Sequence, residues 1–127
     1  MRVRSKPGDA GGRADRLLAV VDAFARHRVA VVGDLIADEF IYGQLDRVSR
    51  EASVLILMYD ATQIVPGGAG NAANNVAALG ARVRLVGAAG RDEAGDRMLE
   101  AFTPGVAVSG IARARVFQTP TKTRILA

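Results

Sequence analysis

VPGGAGNAANNVAALGARVRLVG, residues 65–87, reads as a turn, a helix and a strand in immediate succession. The small residues Gly67, Gly68 and Gly70 let backbone approach a neighbour closely. From about Ala69 to Leu79 the spacing predicts a helix with Ala72, Ala73, Val76 and Leu79 on its inner face. Gly80 is placed to end that helix in a left-handed cap. Val83–Val86 then predicts a strand.

Toward the start, Val29-Ala30-Val31-Val32 is a β-branched run ending at Gly33, predicted to be a buried strand of a parallel sheet. Before it, Leu17, Val20, Val21, Phe24 and Ala25 recur at helical spacing, predicting an amphipathic helix from Arg13 to Arg26. Residues 1–12, punctuated by Pro7, Gly8, Gly11 and Gly12, read as a flexible leader. Leu35–Tyr42 and Val54–Tyr59 read as strands joined by the polar stretch 43–53. With no helix between them they break the βαβ rhythm, so an antiparallel lid is expected over residues 35–59. Downstream, a helix at Glu93–Phe102 and strands at Val106–Val108, Arg113–Phe117 and Lys122–Leu126 complete an α/β domain over residues 13–127.

The chain has 127 residues, half of them hydrophobic and 24% charged, which suits one core and excludes a disordered class. It has no cysteine, so disulfides, thiolate metal sites and Cys nucleophiles are excluded, as suits a reducing cytoplasm. No apolar run approaches the ~20 residues that span a bilayer, and no signal-peptide h-region follows the start. A soluble, cytoplasmic protein without a membrane partner is expected. The formal charge of +4 comes mostly from Arg, and Arg2, Arg13, Arg26, Arg47, Arg82, Arg97 and Arg113 are spread out among few aromatics. This predicts solvated surface charge rather than a nucleic-acid footprint.

Gly33-Asp34-Leu35-Ile36-Ala37-Asp38 stands at the carboxyl end of the first strand, where open parallel sheets bind ligands. Its carboxylates fit two readings: acceptors for sugar hydroxyls, or turn chemistry, for which Gly-Asp is a common pair. Gly67-Gly68-Ala69-Gly70-Asn71 also fits two. It offers free N–H groups at a helix start and the amide of Asn71, a match for a polyol; otherwise it is a flexible loop with a glycine-rich cap. Gly68-x-Gly70-x-x-Ala73 matches a dinucleotide fingerprint, which requires an acidic residue after the next strand. Here Val83–Val86 runs into Gly87, Ala88 and Ala89, and Pro66 interrupts the feed into the turn, so that reading fails. His27, the only histidine, follows the first helix and reads as a charge at its C-terminal end.

The intervals of Gly67-Gly68, Asn71, Ala73, Gly80 and Gly90 resemble the amino-terminal signature of the ribokinase-like (PfkB-type) carbohydrate kinases. Gly90-Arg91-Asp92-Glu93-x-Gly95 is similar to that family's G-x-D-x-x-G turn into a helix. The resemblance covers roughly Val29 to Ala127. Gly33-Asp34-x-x-x-Asp38, Tyr42-Gly43, Arg47-x-Ser49-x-Glu51-Ala52 and Thr121-Lys122-x-Arg124 look like the heptose-phosphate kinase subgroup of lipopolysaccharide precursor synthesis. Ser53 and Gly70 depart from it, where that subgroup usually has Pro and Ala.

The resemblance implies the amino-terminal portion of a ribokinase-like sheet with flanking helices and a small β lid. It implies that Asp38 and Asn71 hold sugar hydroxyls, that Gly67 and Gly68 provide backbone N–H groups, and that Asp34 lines the same pocket. Lys122 and Arg124 either bind a phosphate already on the substrate or face solvent at a strand edge. The lid is expected to cover the sugar and to pair with its copy in a homodimer. The family's catalytic base, an Asp in a G-A-G-D motif, and most of its ATP site belong to a carboxyl-terminal half beyond these residues. Glu93-Ala94-Gly95-Asp96 only looks like that motif, and Asp96 is expected on a helix surface. ATP and Mg²⁺ are therefore implied for the full-length parent, with neither expected to bind this chain tightly. No catalytic residue or metal ligand is assigned here, and the expectation is a truncated kinase inactive alone. The alternative is a free-standing sugar-binding or dimerisation module.

Overall fold

A computed structural model describes residues 10–127, so the first nine positions of the expected leader lie outside the described residues. Along the chain come α1 (Ala10–Asp22), a 3-10 turn at Phe24–Arg26, β1 (Arg28–Val32), β2 (Leu35–Val48), β3 (Leu55–Gly68) and α2 (Ala69–Ala78). They are followed by β4 (Arg82–Gly90), α3 (Glu93–Glu100), β5 (Val106–Ala114) and β6 (Thr121–Leu126). Ala10, Gly11 and Gly12, expected in the leader, open α1 instead. Among the described residues no helix is long and apolar enough to cross a membrane.

The strands form two sheets. The main sheet is parallel, in the order β1-β4-β5. The second, in the order β3-β2-β6, is the lid, with β2 antiparallel to β3 and parallel to β6. Parallel neighbours need a long crossover, and between β1 and β4 the chain supplies it through the lid hairpin and α2. Leu35, Ala37 and Ile64 from the lid's base join Ala73, Val83, Leu85 and Met98 in one core.

Gly80 ends the turn after α2 with φ +97°, the left-handed conformation expected of it. The inner face of α2 differs from the expected one. Gly70 and Ala73 are buried and Val76 and Ala77 pack on the core, whereas Ala72 and Leu79 are exposed. Gly70 sets this rotation: a Cβ there would stand 2.9 Å from Pro66 and 3.1 Å from the Phe102 ring, so only the bare backbone fits.

The expectation of a fully buried first strand is also corrected. Along β1 only Val29 and Val31 are half-buried, and Val32 is 72% exposed. The strand lies at a sheet edge and α2 covers one face, leaving Arg28, Ala30 and Val32 open. In the lid, β2 and β3 run 14 residues each: β2 takes in residues 43–48 of the stretch expected to be a polar link, leaving 49–54 as the connection, and β3 continues to Gly68. Register shifts after Tyr42 and Leu45 absorb the irregular pattern. The hairpin tip closes where Ser49 donates its N–H to the Val54 carbonyl and its hydroxyl accepts from the Glu51 N–H at 3.2 Å. The strand expected at Val106–Val108 runs on as β5 through Gly110 to Ala114 along its ladder with β4, whereas Arg115, Val116 and Phe117, expected to continue a second strand from Arg113, form a turn instead.

Candidate functional site

Gly33 and Asp34 are the only residues between the last position of the main-sheet strand β1 and the first of the lid strand β2. The Asp34 carbonyl accepts the N–H of Ala69, the first residue of α2, at 2.9 Å. That bond brings the lid's start and the glycine turn together. Gly68 sits at φ +57°, and a Cβ on it would meet the Asp34 carbonyl oxygen at 2.5 Å. A side chain is excluded there on both counts.

Strand alternation puts Leu35 and Ala37 into the core and Ile36, Asp38 and Phe40 on the opposite face. On one side of Asp38 lies β3, where a Cβ on Gly67 would run into the Asp38 carboxylate; the glycine leaves that carboxylate its place. On the other side lies β6, with Asp38 opposite Lys122 and Phe40 opposite Arg124. The Arg124 Nη1 donates to Asp38 Oδ1 at 2.9 Å, and its guanidinium stands 5.0 Å from the centre of the Phe40 ring. Charge-assisted bonding and the ring's negative face act on the same cation and fix its direction. The Asp38 side chain keeps a quarter of its surface exposed, so the pair is reachable from solvent.

Of the seven residues proposed from sequence, Asp38, Gly67, Lys122 and Arg124 therefore share one face of the lid sheet. Asp34 and Gly68 meet through backbone at its base. Asn71 is exposed in the first turn of α2, where its amide oxygen accepts from Asn75 Nδ2 at 3.5 Å. The cluster offers a carboxylate with one oxygen anchored and the other over a glycine, flanked by two cations. Such a set accepts hydrogen bonds from neutral hydroxyls and attracts an anionic group nearby.

Two arginines expected to be solvated charge instead hold structure together: Arg97 donates to the Thr62 carbonyl at 2.9 Å, and Arg113 donates to the Gly90 carbonyl at 2.8 Å and to Asp96 at 2.7 Å. Asp96 is otherwise largely exposed on α3, as expected. His27 is an exposed residue between the 3-10 turn and β1, and its carbonyl accepts the Arg82 N–H. In the sequence Asp92 stands out only as part of a motif, and Thr119 does not stand out at all. The Thr119 N–H, then its hydroxyl, hold the Asp92 carboxyl below its ordinary value, with the Gly95 N–H and Arg113 adding to the effect.

Comparison with known proteins places these features. Residues 26–125 match the description pfkB family carbohydrate kinase. The protein named Bifunctional protein HldE from Gluconobacter oxydans is 41% identical over 109 residues, covering 84% of this chain and 23% of that protein. The protein of the same name from Azorhizobium caulinodans is 44% identical over 100 residues, covering 77% and 21%. This chain thus spans less than a quarter of the length of these relatives. Among solved structures, Arabidopsis thaliana ribokinase complexed with ribose and ATP is 25% identical with a TM-score of 0.58, covering 76% of this chain and 31% of that one. Xylella fastidiosa fructokinase with bound ATP is 27% identical with a TM-score of 0.54, covering 78% and 29%. With a family match over most of its length and the same arrangement of strands and helices in solved relatives, the chain belongs to the pfkB family of carbohydrate kinases.

Proposed function

We propose that this chain holds the sugar and supplies the lid of an ATP-dependent carbohydrate kinase whose substrate is a heptose phosphate. The observation that carries the reading is the Asp38 carboxylate lodged between Gly67 and Arg124 on one lid face. Asp38 and the Asn71 amide take sugar hydroxyls, and Gly67 and Gly68 offer backbone N–H groups beside them. Lys122 and Arg124 favour a substrate that already carries a phosphate, since a cation pair beside one carboxylate leaves positive charge to spare. The likeness of the Asp34, Tyr42-Gly43 and Thr121–Arg124 segments to heptose-phosphate kinases supports the same sugar class.

In the whole enzyme, ATP with Mg²⁺ supplies the phosphoryl group for in-line transfer to a sugar hydroxyl. Among the described residues no three His, Cys, Asp or Glu side chains group closely enough to hold a metal ion. The contribution of this part is binding, orientation and exclusion of water by the lid. ATP-fuelled chemistry of this kind belongs to the cytoplasm, and a chain with no cysteine suits that compartment.

The lid further supports self-association. Leu45, Val48, Val54, Leu55, Met58 and Tyr59 are each more than half exposed along its outer half, a concentration of apolar surface that a second copy would cover.

Isothermal titration tests the reading of the site. A heptose 7-phosphate is expected to bind the chain more tightly than the same sugar without phosphate, and Asp38→Ala to weaken binding at least tenfold. Equal heats for wild type and Asp38→Ala would remove the sugar-holding role.

A further inference from the structure

We infer that Asp92 and Thr119, with Arg97, are positioning residues that lock the lid sheet to the main sheet and so keep Arg124 against Asp38. The inference rests on the sugar-site reading for its consequence, though its geometry stands apart from it. Asp92 follows the last residues of β4 and caps α3, its Oδ1 accepting the Gly95 N–H at 2.8 Å. The same carboxylate reaches forward to the lead-in of β6. Asp92 Oδ2 accepts the Thr119 N–H at 2.8 Å, and Oδ1 accepts the Thr119 hydroxyl at 2.7 Å. The hydroxyl oxygen in turn accepts the Gly90 N–H at 2.9 Å. Donors and acceptors thus close into a ring joining the end of β4, the first turn of α3 and the start of the lid's third strand.

Thr119 is 6% exposed and the one buried polar side chain among the described residues; its bond from the Gly90 N–H is buried, and the bonds to the Asp92 carboxylate are partly buried. Losing the hydroxyl would strand the Gly90 N–H, a cost well above that of one exposed bond. The spacing of the glycines answers to the same ring. A Cβ on Gly90 would collide with the Asp92 carboxylate and the Phe117 carbonyl. A Cβ on Gly95 would stand 2.6 Å from the Gly90 carbonyl and 2.7 Å from Thr119 Oγ1. Neither position tolerates a side chain while the ring is closed.

From the ring the path to the site is short. The carbonyl of Pro120, next to Thr119, accepts the Ala37 N–H at 2.8 Å, and Thr121 opens the ladder that sets Arg124 opposite Phe40. Meanwhile Arg97, one turn along α3, holds the lid's opposite strand through the Thr62 carbonyl. Both neighbours of β2 are therefore tied to one helix of the main domain. Neither tie touches Asp38, so a defect in the Asp92–Thr119 ring reaches the site by moving β6, and loss of the Arg97 tie reaches it by moving β3.

Hydrogen exchange of the chain, wild type against Thr119→Val and Thr119→Ser, tests this. Val keeps the shape and removes the hydroxyl, whereas Ser keeps it. Amides of 121–126 are expected to exchange at least tenfold faster in Thr119→Val and near wild-type rates in Thr119→Ser, with Val83–Val86 unchanged in both. Heptose 7-phosphate affinity should follow the same order. Unaltered 121–126 protection in Thr119→Val overturns the inference. So does equal acceleration in Val83–Val86, which would make the hydroxyl a general stabiliser. If the wild-type chain binds no sugar phosphate, the sugar-site reading fails, and the exchange pattern still decides whether the ring positions the lid.

Discussion

Arg124 reaches back across 86 positions to place its Nη1 2.9 Å from Asp38 Oδ1, a contact that exists only because β6 lies in parallel register beside β2. The lid sheet, rather than any local motif, makes this pair. A carboxylate beside a glycine becomes a selective acceptor when its second oxygen is already committed, and the arginine commits it.

Removing that cation should weaken sugar-phosphate binding. A hydrogen bond to a charged group contributes about 1.5–3 kcal/mol, so Arg124→Met is expected to raise the Kd about 10- to 100-fold. Arg124→Lys should fall between, since an ammonium keeps the charge but loses the planar fork. Calorimetric titration with a heptose 7-phosphate measures both, and an unchanged Kd in Arg124→Met would count against the pair's role.

The crowding around Gly95 predicts a stability loss without any change of charge. Gly95→Ala is expected to destabilise by about 1–3 kcal/mol, the usual cost of overpacking, in urea unfolding. Gly12, in α1, has open space beside it: a methyl group there would meet nothing within 4 Å. At that position Gly→Ala should instead stabilise, by up to about 1 kcal/mol, through helix propensity alone. Opposite signs for the two variants separate close contact from propensity.

Asp92 predicts a pH dependence whose sign follows from its partners. Its folded pKa lies below the ordinary value of 3.8 because the Thr119 N–H leads the groups that favour the ionised form. The stabilisation is therefore fully present above the unfolded pKa and lost as pH falls from about that value through the lower folded pKa. Urea midpoints measured from pH 6 downward should drop over that window in wild type, with a shallower drop in Asp92→Asn. Parallel curves would contradict the assignment.

The sequence was most readable where local chemistry dictates conformation. Gly80 had to end a helix, Gly33 had to end a strand, and the glycine turn had to precede α2. What escaped reading depends on partners distant in sequence. Thr119 carries no periodic or motif signal, since a buried hydroxyl is defined by Asp92 and Gly90, which the fold brings to it. The docking of β6 onto the lid was hidden for the same reason: TKTRIL alternates equally well in either sheet. The half-exposed β1 was misread because a β-branched run reports strand propensity and not how many faces are covered. Asp38, Gly67, Lys122 and Arg124 each stand out individually, but their common face follows only from the register.

The outer lid surface makes a prediction about assembly. Tyr59→Asp and Leu55→Asp place charges on exposed apolar positions of β3. Sedimentation velocity is expected to show a dimer for the wild-type chain and a monomer for the double variant, with the same far-ultraviolet circular dichroism. A wild-type monomer at high concentration would rule the lid dimer out.

The most direct check is an amide map of ligand contact by nitrogen-15 NMR, with a heptose 7-phosphate titrated into the labelled chain. Saturable shifts are expected to concentrate at Gly67, Gly68, Asn71 and the β2 and β6 amides flanking Asp38 and Arg124. Shifts confined to α1 or β5, or none at millimolar ligand, would contradict a sugar site on the lid.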